Sequence, residues 1–327
     1  MINFQFVRTS VAKTALGLIG KDPKAAFIAG GTNLVDLMKR GVTAPEKLID
    51  INHLPLKQIE LKNNVLHIGA LVSNSALAEN AMVKEKFPLL MLALQSGASA
   101  QLRNMATVGG NMMQRTRCGY FYDTTMPCNK RQPGSGCGAI GGYNRMHAIF
   151  GTSESCIAVH PSDMCVGLVA IDAQVVLASA KGERKINFID FHRLAGTTPE
   201  KDNNLQKEEL IVRLEIPINN LNKNFHYLKV RDRSSYAFAL VSVAAALEMK
   251  NNIITNVRLA MGGVAHKPWR LKLVEEFLKG KEATTATFEE AGKLAMKDAK
   301  GFGENDFKLK LAPNTLIEAL TIAKSKA

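Results

Sequence analysis

Phe27-Ile28-Ala29-Gly30-Gly31-Thr32-Asn33-Leu34 runs from a short apolar strand through a double-glycine bend into the start of a helix. Glycine lets the backbone turn sharply and approach a ligand closely. Successive N–H groups in such a bend can cup an anion such as a pyrophosphate, and the following helix N-terminus adds partial positive charge. About eighty residues on, Ala106-Thr107-Val108-Gly109-Gly110-Asn111 gives a second glycine signal. Two such bends in one domain suit a long ligand with two phosphates better than either does alone. Gly136-x-Gly138-x-x-Gly141 formally matches the dinucleotide fingerprint, but it follows Arg131-Gln132-Pro133-Gly134-Ser135 instead of a strand, and its second position is Cys137. A Rossmann domain is therefore not supported.

Outward from the first bend, the pattern predicts strands over 25–29 and 47–51, with helices over 8–21 and 33–40. Asn63-Asn64 between apolar runs 58–61 and 65–70 predicts a hairpin. Residues 73–97 read as helix interrupted at Pro88, and 115–155 as a long loop rich in Gly, Arg, Asn and Cys. Strand patterns return over 164–189, with a turn at Lys181-Gly182-Glu183, and again over 210–216, ending at Pro217. The polar run 219–224 reads as a linker. Strands follow over 225–230, 237–249 and 253–261, the last two joined at Asn251-Asn252, then helices over 271–278, 288–300 and 314–324. Two domains are expected, 1–218 and 222–327, consistent with 327 residues.

The chain has 42 Lys and Arg against 29 Asp and Glu, a net charge of +13. The basic residues are scattered, and 6% aromatics make no stacking platform, so nucleic acid is set aside. A basic face toward an acidic partner or an anionic cofactor competes with plain solubility as the use of that charge. Residues 1–13 contain no apolar signal-peptide core, and no apolar run approaches the roughly 20 residues of a membrane span. The expectation is cytoplasmic folding without membrane insertion, with a periplasmic location reached only in company with a signal-bearing partner.

All five cysteines, Cys118, Cys128, Cys137, Cys156 and Cys165, fall within one segment of under fifty residues. An odd number in a cytoplasmic-looking chain argues against a disulfide framework. A polar loop of this length buries too little apolar surface to offset its ordering entropy, which makes a metal centre a natural nucleus. The spacing Cys118-x9-Cys128-x8-Cys137-x18-Cys156 contains no C-x-x-C pair, so spacing alone leaves zinc, an iron–sulfur cluster and free core thiols open. Arg115, Arg117, Lys130, Arg131 and Arg145 would offset the negative charge of a four-thiolate cluster.

Ala29-Gly30-Gly31-Thr32-Asn33-Leu34 with Thr107-Val108-Gly109-Gly110-Asn111 resembles the FAD-binding domain of vanillyl-alcohol-oxidase-type flavoproteins. More narrowly, the chain resembles the medium, flavin-binding subunit of xanthine dehydrogenase and carbon monoxide dehydrogenase type enzymes. Tyr227-Leu228-Lys229-Val230-Arg231 and Arg258-Leu259-Ala260-Met261-Gly262-Gly263-Val264 extend that likeness to the C-terminal flavoprotein domain. The resemblance implies an α+β fold: a two-lobed FAD domain with an insertion at about 112–160, then a smaller α/β domain. It implies FAD contacts at Phe27, Ile28, Ala29, Gly30, Gly31, Thr32, Asn33, Leu34, Thr107, Gly110 and Asn111. Asp163 and Lys229 match residues near the flavin; otherwise they read as a helix-cap or turn residue and a solvated strand charge.

The insertion, through Arg117-Cys118, Cys128-Asn129-Lys130-Arg131, Pro133-Gly134-Ser135-Gly136-Cys137 and Gly151-Thr152-Ser153-Glu154-Ser155-Cys156, is similar to the cluster loop of the flavin subunit of bacterial periplasmic aldehyde oxidoreductases. A related loop exists in the flavin subunit of 4-hydroxybenzoyl-CoA reductase. On that likeness Cys118, Cys128, Cys137 and Cys156 hold a [4Fe–4S] cluster, while Cys165, in an apolar run, is a buried free thiol. His147 and His160 are expected to pack the loop or to tune the cluster by hydrogen bonding. The family function is electron transfer: no residue here is catalytic for substrate, which is oxidised on a molybdenum-cofactor large subunit and linked through a [2Fe–2S] small subunit, in a heterotrimer that can pair into a dimer. Two rival readings are a stand-alone flavoenzyme on this fold and a zinc-stabilised binding module without flavin.

Overall fold

A computed structural model describes residues 1–326. The fold is α+β, built on three sheets. β1 (Gln5–Arg8), β2 (Ala25–Ile28) and β3 (Lys47–Asp50) form a parallel sheet in the order β1-β3-β2. β4 (Ile59–Lys62), β5 (Val65–Gly69), β6 (Gln174–Ser179), β7 (Gly182–Asn187) and β8 (Leu210–Pro217) form an antiparallel sheet in the order β4-β5-β8-β6-β7. These sheets make two lobes. β9 (Asn224–Val230), β10 (Val241–Lys250), β11 (Ile253–Gly262) and β12 (Trp269–Arg270) form a third, antiparallel sheet in the order β12-β11-β10-β9.

Turn chemistry accounts for the hairpins. Asn63 and Asn64 sit at φ 51° and 59°, and Asn251 and Asn252 at 50° and 64°, the left-handed pair that a two-residue hairpin needs and that asparagine tolerates. The predicted 73–97 helix is three helices, Asn74–Glu79, Ala81–Lys86 and Pro88–Ser96. Asn80 ends the first and caps the second by accepting the Val83 N–H at 3.2 Å, and Pro88 opens the third. Residues 8–11 are not helical: β1 ends at Arg8, whose guanidinium meets Asp50 at 2.9 Å, and the helix begins at Ala12. That pairing joins residues 42 positions apart, which no local pattern reveals.

Two further elements differ from expectation. Asp163–Ala170 is helix, not strand, and all eight of its residues are buried. A fully buried helix and a fully buried strand both read as an unbroken apolar run. Ser162 Oγ, accepting the Cys165 N–H at 3.2 Å, is the cap that marks the helix start. The last helix spans Lys308–Ser325 with Pro313 inside it, and so begins six residues before the expected start at 314. Its opening turn is pinned by Lys308, which donates from full burial to the carbonyls of His147 (2.9 Å) and Gly263 (2.7 Å).

β10 explains how the C-terminal sheet is placed. Val241, Val243, Ala245 and Leu247 face a core shared with the helices 272–278, 285–295 and 308–325. The alternate residues Ala244 and Ala246 face the core of the second lobe, where helices 88–96 and 163–170 lie. The sheet is covered on both faces, and alanines admit the N-terminal domain's helices at close range. Among the described residues, no helix is long and apolar enough to cross a membrane.

Candidate cofactor sites

The first bend leaves β2 and enters the helix Leu34–Lys39, with Gly31 at φ +71°. A Cβ on Gly30 would lie 1.9 Å from the Met105 carbonyl oxygen, so only glycine lets this bend seat against the end of the helix Ala100–Met105. The N–H groups of Gly31, Thr32 and Asn33 donate to no protein acceptor among the described residues, which leaves a row of donors for an anion. The second glycine pair is built differently. It lies in the first turn of a helix, Val108–Met112, capped by Thr107 Oγ1, which takes the Gly110 N–H at 3.1 Å. The Gly109 N–H bonds the Ala70 carbonyl at 2.8 Å.

Two adjoining cavities run along these bends. One of about 420 Å³ is lined by residues 25–34 with Leu37, Ile51, Thr107 and Gly110. The other, about 650 Å³, shares Thr32, Asn33 and Gly110 with it and reaches Asn111, Asp163 and Lys229. Three buried polar atoms on residues lining the larger cavity, Asn33 Nδ2, Asn74 Oδ1 and Arg117 Nε, have no protein partner. Buried polar groups are ordinarily satisfied, so orphans around a long cleft fit a polar ligand lying in it.

Asp163 and Lys229 meet directly at 2.8 Å, both side chains about 5% exposed. Lys229 also donates to the Ser96 carbonyl (2.9 Å), and the Tyr227 hydroxyl donates to Asp163 (2.7 Å). Lys229 is thus a buried ion-pair partner, not a solvated charge. Asp163 is the first helical residue; Ser162 caps, and its hydroxyl donates to Asn111 Oδ1 at 2.5 Å. Burial and the neighbouring Asp163 carboxylate push the Tyr227 phenol well above its ordinary range, so it stays a donor.

Cys118, Cys128, Cys137 and Cys156 line one small cavity of about 10 Å³, and none is in a disulfide. Cys128 and Cys137 face each other across an isolated antiparallel bridge. Burial pushes the Cys118 thiol up to about 12 and the Cys156 thiol up to about 11. His147 Nε2 lies 3.1 Å from Cys118 Sγ, while His160 bonds no cysteine of the loop. Lys130, 2% exposed, donates to the Pro199 carbonyl at 2.8 Å and to Asp202, which Arg115 also binds at 2.7 Å. Burial alone would raise the Asp202 carboxyl, but Lys130, Arg115 and His266 hold it below the usual carboxylate range. The backbone N–H of Arg115 donates to Asn33 Oδ1 at 3.0 Å, tying the thiol loop to the first glycine bend.

The model for the FAD-binding domain in molybdopterin dehydrogenases matches residues 2–219. The chain belongs to this family of flavoproteins. A second family, the C-terminal domain of carbon monoxide dehydrogenase flavoproteins, matches residues 226–323. The chain is similar to the aldehyde oxidoreductase FAD-binding subunit PaoB of Escherichia coli K12, with 46% identity over 327 residues and 99% of each chain covered. It is also similar to the glyceraldehyde dehydrogenase medium chain of Sulfolobus acidocaldarius, 31% identical over 280 residues, covering 85% of this chain and 82% of that one. Carbon monoxide dehydrogenase from Hydrogenophaga pseudoflava has the same fold over the full length of both chains, with a TM-score of 0.79 at 24% identity.

In this molybdopterin dehydrogenase flavoprotein, an oxidoreductase component with an FAD-binding domain, the sequence-predicted contact positions all fall along the two adjoining cavities. Asn74 and Arg117 at the cleft, and Tyr227 behind Asp163, were not foreseen. Arg117 carried a visible signal as one of the basic residues of the insertion; Asn74 and the Tyr227–Asp163 contact, across 64 positions, carried none.

Proposed function

We propose that this flavoprotein is the FAD- and [4Fe–4S]-carrying electron-transfer subunit of a molybdenum-dependent aldehyde oxidoreductase. The observation that carries the reading is the convergence of four free thiols on one cavity, tied through Arg115 to the glycine bend beside a long polar cleft. The full-length likeness to an aldehyde oxidoreductase subunit supports aldehyde as the substrate class of the complex. A molybdenum-cofactor large subunit would oxidise it, a [2Fe–2S] small subunit would connect the two, and this chain would pass electrons to an external acceptor.

When bound, FAD exchanges one or two electrons and the cluster one, and the protein supplies position and electrostatics. Gly31, Thr32 and Asn33 would hold the pyrophosphate through their N–H groups, with Thr107, Gly110 and Asn111 along the same cleft. Asp163, fixed between Lys229 and Tyr227, would present a set charge at the flavin end. Cys118, Cys128, Cys137 and Cys156 would be the cluster ligands, and buried Lys130 would offset their negative charge. Zinc would need its four sulfurs about 3.8 Å apart, given Zn–S bonds of about 2.3 Å. Among the described residues no three of these sulfurs lie within 4.8 Å of one another, wider than the spacing a tetrahedral zinc requires.

A visible spectrum of the anaerobically purified chain tests the reading. Flavin bands with a broad shoulder bleached by dithionite, together with iron and acid-labile sulfide, are expected. Flavin bands alone would leave a stand-alone flavoenzyme, and a colourless protein would leave the zinc-stabilised module.

A further inference from the structure

We propose that His160, Cys165 and His192 form a second metal site, separate from the four-thiol loop, for a borderline-soft divalent ion such as zinc. The Cys165 sulfur and one ring nitrogen from each histidine lie within 4.8 Å of one another, the only such trio among the described residues. All three side chains are more than nine-tenths buried: His160 is 8% exposed, His192 3% and Cys165 0%. The imidazole rings lie with centroids 4.2 Å apart.

The hydrogen bonds leave one nitrogen lone pair free on His192 and one buried His160 nitrogen without a partner. His192 Nε2 lies 2.8 Å from the Met112 carbonyl oxygen, which only accepts, so Nε2 carries the proton and Nδ1 holds a lone pair. Nδ1 is buried without a partner, and so is His160 Nε2. A metal-bound histidine has this arrangement, with one nitrogen donating to a fixed carbonyl and the other free to coordinate. Two orphaned nitrogens on histidines grouped with a thiol are unexpected in a core that needs only packing, because buried polar groups without partners are costly.

The charge states suit coordination. Burial holds His192 down to about 4 and His160 well below its ordinary value, so both rings are neutral ligands. Burial pushes the Cys165 thiol up to about 12 in the metal-free protein. Binding therefore replaces an S–H bond with a metal–sulfur bond and releases one proton to solvent, with no change of oxidation state. Zinc–nitrogen bonds of about 2.0 Å and zinc–sulfur bonds of about 2.3 Å place tetrahedral ligand atoms about 3.4 Å apart, so the trio, within 4.8 Å, would close by at most about 1.4 Å. Three protein ligands leave the fourth tetrahedral position open. His160 also lines a cavity of about 500 Å³, which brings open space to one member of the trio. The trio joins three stretches of the FAD domain: the segment before the helix Asp163–Ala170, that helix, and the residue after the helix Phe188–Phe191.

The test measures zinc and iron separately by elemental analysis of the full-length chain purified from zinc-supplemented cells, alongside Cys165→Ala, His192→Gln and Cys128→Ser. The expected result is about one zinc per wild-type chain, retained in Cys128→Ser and lost, with a more than tenfold weaker zinc affinity, in Cys165→Ala and His192→Gln. Iron should not change in the Cys165 and His192 variants. Cobalt added to wild type should give ligand-field bands in the red that Cys165→Ala lacks, a readout that stands if His192→Gln fails to fold. Zinc that disappears in Cys128→Ser while persisting in Cys165→Ala would place the ion in the thiol loop and overturn the proposal. A wild-type chain that takes up neither zinc nor cobalt would overturn it as well.

Discussion

Gly31 is a residue whose backbone alone dictates its identity, because φ +71° is strained for any side chain with a Cβ and Val35 already stands 3.2 Å from where that atom would be. Gly31→Asp adds a carboxylate beside the free N–H groups. The expected outcome is FAD occupancy several-fold below wild type, read as flavin absorbance per chain after desalting; unchanged loading would move the pyrophosphate elsewhere. Lys229 poses the opposite problem, since its partner cannot leave. Lys229→Met strands the Asp163 carboxylate in the core, with only Tyr227 left to bond it. Removing one member of a buried ion pair costs about 3–5 kcal/mol, so the urea midpoint should fall sharply, and Lys229→Met combined with Asp163→Asn should recover much of it. The glycine was legible because backbone conformation restricts residue type locally. Family likeness marked Asp163 and Lys229 as positions near a flavin but not as a pair, since a lysine in a strand and an acid at a helix start are ordinary by themselves.

The thiol loop is the element in which side chains replace regular structure. Apart from the helix Gly119–Tyr122, it is held by bridges, by Asn144 and Asn305, and by Asp202 gripping Lys130 and Arg115. The Asp202 carboxyl is lowered in the folded protein, so its contribution is fully present above the ordinary value of 3.8 and is lost as pH falls through the lowered one. Acidification below that range should speed proteolysis within residues 115–155, and Asp202→Asn should show the fast cleavage already at neutral pH. Equal cleavage of both proteins at neutral pH would remove Asp202 from the latch. Cys128→Ser should lose iron and loosen the same segment while flavin largely stays, because Cys128 packs with Leu37 and Phe121 away from the larger cleft. Full iron content in that variant would take Cys128 off the ligand set. The cysteine clustering announced the loop; Asp202, 72 positions from Lys130, did not announce its latch.

Across the whole molecule, one sheet serves two cores. β10 sends Val241, Val243, Ala245 and Leu247 to its own helices and Ala244 and Ala246 to the FAD domain, so the units flanking residue 220 are packed together along a strand. Lys308 is the buried cation at this junction, holding the His147 and Gly263 carbonyls. Burial lowers it from 10.5 to about 7, so between those values the unfolded chain binds a proton that the folded chain does not. Stability gains from this group as pH rises through that window, with a slope of at most about 1.4 kcal/mol per pH unit. Lys308→Met should flatten the rise in unfolding free energy over that range relative to wild type, as measured by urea titrations at a series of pH values. An unchanged slope would mean that Lys308 remains charged in place.

Features that depend on neighbours along the chain could be read from residue order. These are the glycine bends, the Asn-Asn hairpins, and the concentration of thiols in one polar excursion. Tertiary structure alone decided that Asp163–Ala170 is a helix, that Gln5–Arg8 joins a sheet, and that Lys229 is buried with Asp163 and Tyr227. It also decided that His160, Cys165 and His192 meet. The physical reason is range: backbone conformation is restricted by adjacent residues, whereas burial and side-chain pairing depend on which distant segments pack together.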